Sequence, residues 1–108
     1  MSPVDVVFGV AIVELLRFIR DFIKGAKKQK VDISAVPFDV FYEAFVDAFG
    51  IKRSRSHMWR DLHNKGYGYH KWGSLGRRHK FVNVKRMLED LKEEIEMKMK
   101  GELNDIYY

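Results

Sequence analysis

The sequence predicts a mainly α-helical fold that also carries a small β-hairpin, an α+β architecture. Four stretches of the chain place apolar residues three or four positions apart, which is the spacing of a buried helix face. After Gly66 the pattern alternates instead, in two short runs around a turn that holds two glycines, and this predicts two antiparallel strands. With 108 residues, of which 46% are hydrophobic, the chain is expected to form a single domain around its own core.

The first predicted helix begins near Pro3 and continues to about Lys24, within an N-terminal segment of residues 1–30. Its main apolar stripe consists of Phe8, Ala11, Ile12, Leu15, Ile19, Phe22 and Ile23. Gly25 and the charged residues after it are expected to end the helix. A second apolar set lies on the face that should be polar: Val6, Val10 and Val13. A helix that is apolar on two sides must bury both faces against other surfaces. The second set is therefore expected to form a homodimer interface or to lie under the C-terminal tail.

The predicted central unit, residues 31–84, opens with a short extended or turn segment over residues 31–37. Pro37 is expected to start a second helix that reaches Phe49, because proline suits the first turn of a helix and Gly50 follows as a stop signal. The aromatic residues of this helix are spaced three and four apart, which indicates core packing rather than a cofactor site: Phe38, Phe41, Tyr42, Phe45 and Phe49.

The third predicted helix is short and polar and covers residues 54–65. Ser54 or Ser56 can cap its N-terminus, and Gly66 can end it. Its buried stripe contains two residues four positions apart, Met58 and Leu62. Burial alone therefore does not explain the composition of this helix.

A hairpin is predicted over residues 67–84, and a last helix follows it. This helix is expected to run from Val84 to about Met99, with Gly101 as its end. Its apolar stripe consists of Val84, Met87, Leu88, Leu91 and Ile95. Residues 85–108 are therefore predicted to form a C-terminal helix and tail.

Positive charge is concentrated in the middle of the chain. Residues 52–86 contain eleven lysines and arginines and one acidic residue, Asp61. Residues 1–51 hold six basic and seven acidic residues, and residues 87–108 hold three basic and seven acidic residues. A basic segment between mildly acidic ends, with two tryptophans among its cations, is expected of a surface that binds a polyanion such as nucleic acid. The alternative is a solvated lysine-rich face without a ligand.

The outward side of the third helix supplies the first candidate contacts. If Met58 and Leu62 face the core, an advance of about 100° per residue turns Ser56, Arg60 and His63 outward, with His57 and Asn64 at one side of that face. Arg53 is expected just before the helix on the same outward side, and Arg55 at the edge of the buried stripe. Arginine can pair with guanine and asparagine with adenine in a major groove, while serine and histidine reach phosphates or base edges. The predicted DNA-binding residues here are Arg53, Arg55, Ser56, His57, Arg60, His63, Asn64 and Lys65.

The hairpin supplies the second set of candidate contacts, which are Lys71, Arg77, Arg78 and Lys80. Arginines at its tip can enter a narrow minor groove or clamp phosphates. Trp59 is expected at the edge of the core, and Trp72 is expected to pack the hairpin onto the helices. For Tyr67 and Tyr69 the sequence leaves a structural role and a binding role equally open.

Neither a catalytic residue, nor a metal site, nor a cofactor is predicted. The chain has no cysteine, which excludes disulfides and cysteine-ligated zinc, and its four histidines follow neither the HExxH nor the HxH spacing. No stretch reaches the roughly 18 apolar residues that cross a bilayer, so a soluble intracellular protein is expected. The small, free-standing layout is of the kind expected in an archaeal virus or plasmid, which would place the protein in the host cytoplasm.

Three stretches of the chain resemble a known DNA-binding family. They read FYEAFVDAFGI, SRSHMWRDLHNKGY and GRRHKFVNV. With them, the segment from Phe41 to Val84 resembles winged helix-turn-helix domains of the RFX type and those that end viral and plasmid primase-helicases. The resemblance implies an aromatic helix packed against a recognition helix, followed by an arginine-rich wing. The whole chain would then be a winged domain with extra N- and C-terminal helices.

These observations together predict a homodimeric transcriptional regulator that binds double-stranded DNA in a sequence-specific way. Residues 54–65 would occupy the major groove, and the wing, residues 67–84, would lie on the backbone or in the minor groove. The alternative is a protein-interaction module that uses the fold and the apolar first helix to dock a replication or transcription partner. Binding of RNA or single strands through the tyrosine and tryptophan rings is a third hypothesis.

Overall fold

The computed structural model describes residues 6–7, 9–73 and 76–107. Within these residues the chain is mainly helical, with four helices, a three-stranded antiparallel sheet and a separate two-stranded hairpin, so the predicted α+β class is confirmed. The elements in chain order are β1 (Val6–Val7), β2 (Val10–Ala11), α1 (Ile12–Lys28), β3 (Val36–Pro37), α2 (Phe38–Phe49), α3 (Arg55–Asn64), β4 (Gly68–Trp72), β5 (Arg78–Val82) and α4 (Val84–Tyr107).

The predicted start of the first helix is wrong. β1 and β2 form a small antiparallel hairpin instead, in which Val7 lies opposite Val10. β-branched valines favour strands, and Gly9 adopts φ = 82°, a left-handed conformation that suits the turn between them. α1 therefore begins at Ile12. The parts of the prediction that lie outside the described residues concern residues 3–5 and Phe8.

The predicted end of the first helix is also wrong, because α1 runs past Gly25. It ends through a different left-handed residue, Lys30, with φ = 57°. The amide of Val31 donates there to the carbonyl of Ala26 at 2.9 Å, which is the hydrogen bond of a Schellman ending. Glycine usually occupies this left-handed position, so a lysine in its place gives the sequence no visible stop signal.

The three valines predicted to form a dimer interface do not share one helix face. Val10 lies on β2 and is buried in the core at 8% exposure, whereas Val13 lies on α1 at 50% exposure. Val6 belongs to β1, and its side chain falls outside the described part of the chain. The set is therefore not the continuous interface that was predicted, because a strand sends successive side chains to opposite faces and a helix does not.

The core lies between the four helices and one face of the sheet. The buried residues of α1 are Ile12, Leu15, Ile19, Ile23 and Ala26. The ring centroid of Phe18 lies 5.8 Å from those of Phe41 and Phe45 on α2, both in edge-to-face geometry. Phe41 and Phe45 are fully buried, as predicted, and truncating either to alanine is expected to cost about 3–5 kcal/mol. α2 ends at Phe49 because Gly50 takes a left-handed φ of 65°, also as predicted.

A three-stranded sheet has the order β3–β5–β4, with antiparallel neighbours. Val36 of β3 pairs with Val82 of β5, and Pro37, which has no amide proton to donate, lies on the edge strand. The predicted hairpin is confirmed as Gly68–Trp72 and Arg78–Val82. The segment that was expected to be extended thus ties the connection between α1 and α2 to the hairpin.

α4 starts directly after the sheet. Asn83 caps it, since its side-chain oxygen accepts the amide of Arg86 at 3.0 Å. The buried residues of its predicted stripe are Val84, Met87 and Leu91. The helix continues to Tyr107, so the prediction that Gly101 ends it is wrong. One glycine costs a helix only about 1 kcal/mol relative to alanine, which does not by itself stop a long helix.

Candidate nucleic-acid interface

α3 is held at both ends and along one side. Ser54 Oγ accepts the amide of His57 at 3.1 Å, which caps the N-terminus. At the other end Gly66 takes φ = 83°, and the amide of Tyr67 donates to the carbonyl of Leu62 at 3.0 Å, again a Schellman ending. The two fully buried side chains are Met58 and Leu62. The opposite side of the helix is exposed, as its spacing predicts, and carries Ser56, His57, Arg60, His63, Asn64 and Lys65.

Gly68 brings the hairpin close against α3. A Cβ atom at this position would lie 3.0 Å from the Trp59 ring and 3.1 Å from the backbone nitrogen of His63. Only glycine lets β4 approach the helix this closely without displacing one of them. The hairpin consequently rises directly beside the exposed side of α3.

One face of the hairpin turns toward α3. Residues directly opposite each other on antiparallel strands share a face, and the register pairs His70 with Lys80 and Trp72 with Arg78. His70 identifies this face as the inner one, because its ring centroid lies 5.1 Å from that of Trp59. These four side chains therefore continue the surface that α3 begins.

Lys71 lies on the other face, opposite His79. Its charge is near Asp32, whose pKa is lowered first by hydrogen bonds from the Ser34 side chain and backbone and also by Lys71. Lys71 and Lys80 lie on the two strands of the hairpin, β4 and β5, and their side chains are on opposite faces because Lys71 pairs with His79 whereas Lys80 pairs with His70.

A groove runs between α3 and the hairpin and is lined by Ser56, Trp59, Arg60, His63, His70 and Lys80. Lys80 Nζ lies 5.3 Å from the ring centre of Trp59 and 6.0 Å from that of Phe38, so two aromatic rings help to hold its charge in place. Lys80 also lines a second groove together with Arg78, and the paired side chains of Arg55 and Asp39 lie at the same groove. Arg60, Lys80 and Arg78 therefore follow one another along one surface, which we call the cationic shelf.

The charges of the cationic shelf are available to a ligand. Its three side chains are exposed, as is the neighbouring Arg77. In the part of the chain that the structure describes, none of these four cations forms an ion pair with a carboxylate. A phosphate could bind to the shelf without displacing a carboxylate.

Arg53 and Arg55 are ion-paired within the fold, which corrects the expectation that Arg53 faces outward with Arg60. The Arg53 guanidinium pairs with Asp61 at 2.5 Å, and its side chain is only 20% exposed. Arg55 pairs with Asp39 at 2.5 Å and lies 4.6 Å from the ring centre of Tyr42, at the edge of the helix as predicted. The Tyr42 hydroxyl also donates to the backbone carbonyl of Arg53. Arg55 and the backbone of Arg53 therefore join α2 to α3, and the charges of both arginines are offset within the fold.

Two histidines lie in the groove beside Trp59. The ring centroids of His63 and His70 are 6.2 Å apart. Partial burial lowers the pKa of His70 from its ordinary value, and the nearby charges of Arg78, His63 and Lys80 lower it further. His70 is thus neutral near pH 7. Among the described residues, no three histidine or carboxylate side chains are grouped so that they could hold a metal ion.

The two tyrosines of the hairpin brace the fold, which resolves the roles that the sequence leaves open. The Tyr67 hydroxyl donates to Asp90 Oδ2 on α4 at 2.8 Å, and burial together with this carboxylate raises the pKa of Tyr67. The Tyr69 hydroxyl donates to the carbonyl of Ser34 at 2.6 Å, next to β3. Both hydroxyls therefore fix the hairpin to its neighbours.

The two tryptophans differ. Trp59 packs at the core edge as predicted, with its ring centroid 5.4 Å from that of Phe38. Trp72 is 69% exposed, so the expectation that it packs the hairpin onto the helices is wrong. It stands two residues beyond His70, and two strand residues add about 7 Å, which carries the ring past the end of the groove. The alternating pattern alone could have placed it on the face of His70, and the residue directly opposite it is Arg78 rather than an apolar residue.

Comparison with protein-family models, with curated proteins and with solved structures finds no match for this chain. Among the described residues there is no helix with the length and the apolar character needed to span a bilayer. The functional argument therefore depends on the geometry and the charges of the surface formed by α3 and the hairpin.

Proposed function

We propose that the protein binds double-stranded DNA as a winged helix-turn-helix domain, with α3 as the recognition helix and the β4–β5 hairpin as the wing. The order of elements supports this proposal: α1, a short strand, α2, α3 and then the hairpin, with the short strand paired to the returning strand of the hairpin. The observation that carries the proposal is the cationic shelf, which joins the exposed side of α3 to the wing and whose cations form no ion pair with a carboxylate among the described residues.

α3 would lie in the major groove with its polar side toward the bases. Arg60 and Asn64 are one helical turn apart and both exposed, so they can reach neighbouring base pairs. Arginine suits guanine and asparagine suits adenine. Ser56 and His57 are in the first turn, where the partial positive charge of the helix N-terminus favours a phosphate.

The wing would hold the flanking DNA backbone. Lys80 and Arg78 extend the line of positive charge away from α3, and Arg77 continues it toward the turn. Arginines at this position can contact phosphates or enter a narrow minor groove. Each phosphate neutralised by the protein contributes about 0.9 to the slope of log affinity against log salt, so binding is expected to weaken steeply as salt rises.

As a homodimer, the protein would act as a transcriptional regulator that reads two half-sites. Two recognition helices on the same side of the DNA would lie about 34–36 Å apart, one helical turn. The exposed apolar side chains that support a second copy belong to α1 and α4, namely Val13, Met97 and Met99. Sedimentation equilibrium with and without a duplex carrying two half-sites would measure the number of copies bound.

The experiment that tests DNA binding is a gel shift with random duplex DNA over a range of salt concentrations. The test variant reverses three charges, Arg60→Glu, Arg77→Glu and Arg78→Glu. The matched control makes the same change in net charge on exposed positions of α1, Arg20→Glu, Lys24→Glu and Lys27→Glu. We expect the test variant to lose binding at all salt concentrations while the control retains it, with equal helical circular dichroism in both.

A test variant that binds duplex like the wild type would overturn the proposal. Equal loss in both variants would also count against it, because binding would then follow net charge rather than the cationic shelf. The comparison is clean because all six positions are exposed and no ion pair joins one of them to a carboxylate among the described residues.

The second candidate function is a protein-interaction module, favoured by the exposed methionines of α4. Met97 and Met99 are 66% and 58% exposed, and methionine side chains adapt well to apolar partner surfaces. In that case the winged fold would serve as a platform for a replication or transcription partner. The absence of any gel shift at low salt, by a folded protein, would favour this function over DNA binding.

A further inference from the structure

Trp72 is the most exposed of the large apolar side chains that the structure describes. It ends β4 at 69% exposure, above Met97 at 66% and Met99 at 58%. A ring of this size normally buries a large area in the core or in an interface. Trp72 contributes little to the core of this fold, so a role on the surface has to account for it.

The position of Trp72 relates it to the cationic shelf. It lies directly opposite Arg78 and on the same face as His70 and Lys80. Because it is two residues farther along the strand than His70, its ring stands about 7 Å beyond the groove beside α3. A nucleic acid bound along the shelf would therefore meet Trp72 at the outer end of its contact.

The surroundings of Trp72 favour nucleic acid over a protein partner. On its own face of the strand pair its neighbours on the facing strand are cations, with Arg78 directly opposite and Lys80 on the diagonal. A docking site for a protein usually offers a contiguous apolar patch of a few hundred Å², and a single ring between cations is not such a patch. Rings interleaved with cations are typical of surfaces on which bases stack while the backbone is neutralised.

Stacking restricts the kind of nucleic acid that Trp72 can recognise. Inside an intact duplex both faces of every base are covered by its neighbours, so an indole can stack only on a base with a free face. Such bases occur where a duplex meets a single strand. We propose that Trp72 stacks on the first unpaired base beside a duplex bound to the cationic shelf, and that the protein prefers duplex–single-strand junctions to uninterrupted duplex. This inference rests on the proposed DNA binding.

The test compares two DNA substrates with the full chain. One is a duplex of about two helical turns that carries a single-stranded tail at one end. The other is the same duplex with both ends closed by flexible ethylene-glycol linkers, which leaves no unpaired base. The protein variants are Trp72→Leu, which keeps an apolar side chain without a ring, and Trp72→Phe, which keeps a ring that can stack.

We expect wild-type protein to bind the tailed duplex more tightly than the capped duplex. Trp72→Leu should weaken binding to the tailed duplex about tenfold, the effect of losing one stacked base, and should change binding to the capped duplex by less than about twofold. Trp72→Phe should recover most of the difference. A 2-aminopurine placed at the first unpaired position should be quenched by the wild type and not by Trp72→Leu.

Three results would overturn the inference. The first is an equal loss on both substrates, which would make Trp72 a general contact, and the second is no loss on either. The third is quenching that does not depend on Trp72. A failure of the proposed DNA binding would look different, since the folded wild type would then bind neither substrate. Because Trp72 is exposed, both variants should fold, and circular dichroism verifies this.

Discussion

The basic middle of the chain holds two groups of arginines that look alike in sequence and differ in the structure. Arg53 and Arg55 lie where α2 meets α3, and each forms an ion pair, with Asp61 and with Asp39 respectively. The second group, which consists of Arg60, Arg77 and Arg78, is exposed and forms no ion pair among the described residues. Arg60 follows Arg55 by only five residues, and Arg77 and Arg78 belong to the same basic segment.

The difference comes from the position of the acidic residues. α2 presents Asp39 and Glu43 toward the start of α3, and Asp61 lies on the side of α3 that faces Arg53. Neither the outer side of α3 nor the inner face of the hairpin carries an acid in the described residues. The exposed ion pairs of Arg55 contribute little to stability, so their main consequence is that Arg55 is paired while Arg60, Arg77 and Arg78 remain free for a ligand.

The largest expected effect separates the two groups by DNA affinity. The double variant Arg60→Ala and Lys80→Ala removes two shelf cations, and it should weaken binding at least about tenfold and lower the salt slope by about 1.8. Arg55→Ala should change the slope little, because its charge is already offset by Asp39 and Glu43. Fluorescence anisotropy at several salt concentrations measures both quantities. Equal slopes for the two variants would remove the distinction between the groups.

The second effect separates the groups by stability. Arg53 and Asp61 have side chains only 20% and 31% exposed, and a hydrogen bond between charged groups at this depth contributes about 1.5–3 kcal/mol. Arg53→Ala should therefore lower the free energy of unfolding by about that amount, whereas Arg60→Ala should leave it nearly unchanged. Urea unfolding measures the difference. In a double-mutant cycle Arg53→Ala and Asp61→Ala should be strongly non-additive, and additive losses would mean that the ion pair has no role.

Much of the fold could be predicted from spacing and stop signals. Local residue types and spacing predict several features correctly, namely the buried stripe of α2, the cap at Ser54, the ending at Gly66 and the hairpin. The ends of α1 do not. Lys30 takes a left-handed conformation that glycine usually occupies, and β1–β2 uses valines that fit a helical repeat equally well. In both places the local sequence is compatible with two conformations and therefore does not predict which of them forms.

The candidate site was predicted less completely, because ion pairing depends on distant parts of the chain. Helical geometry alone turns Arg60 outward, but only the fold brings Asp61 within reach of Arg53 and Asp39 within reach of Arg55. The faces of the hairpin likewise depend on register, which separates Lys71 from Lys80. Trp72 is exposed because the hairpin extends beyond α3. A local sequence pattern does not predict how far the hairpin extends.

The third effect tests whether the hairpin must stay close to α3. Gly68→Ala places a methyl group 3.0 Å from the Trp59 ring and 3.1 Å from a backbone nitrogen, so we expect a loss of about 1–3 kcal/mol in the free energy of unfolding. DNA affinity should fall as well, because Lys80 and Arg78 would move away from Arg60. Gly25→Ala is the matched control, since nothing lies within 4 Å of the added atom, and it should stabilise α1 by up to about 1 kcal/mol. Thermal denaturation compares the stability of the two variants. A Gly68→Ala protein as stable as the wild type would contradict the close approach of β4 to α3.

The smallest effect concerns pH and uses His70, which lies between the shelf cations. Its pKa is lowered in the folded protein by partial burial and then by Arg78, His63 and Lys80, so the unfolded chain binds a proton more readily. The contribution of His70 to the free energy of unfolding should therefore be fully present above the ordinary histidine pKa of about 6.5 and should decrease as the pH falls below it. His70→Gln should show a smaller decline between about pH 7.5 and pH 5.5 in urea titrations. The effect of lowering the pH on DNA affinity has the opposite sign, because a bound phosphate favours the protonated imidazole. The DNA affinity of the wild type should therefore rise as the pH falls over the same interval, and that of His70→Gln should rise less. If both proteins responded to pH alike in both measurements, His70 would have no part in the shelf.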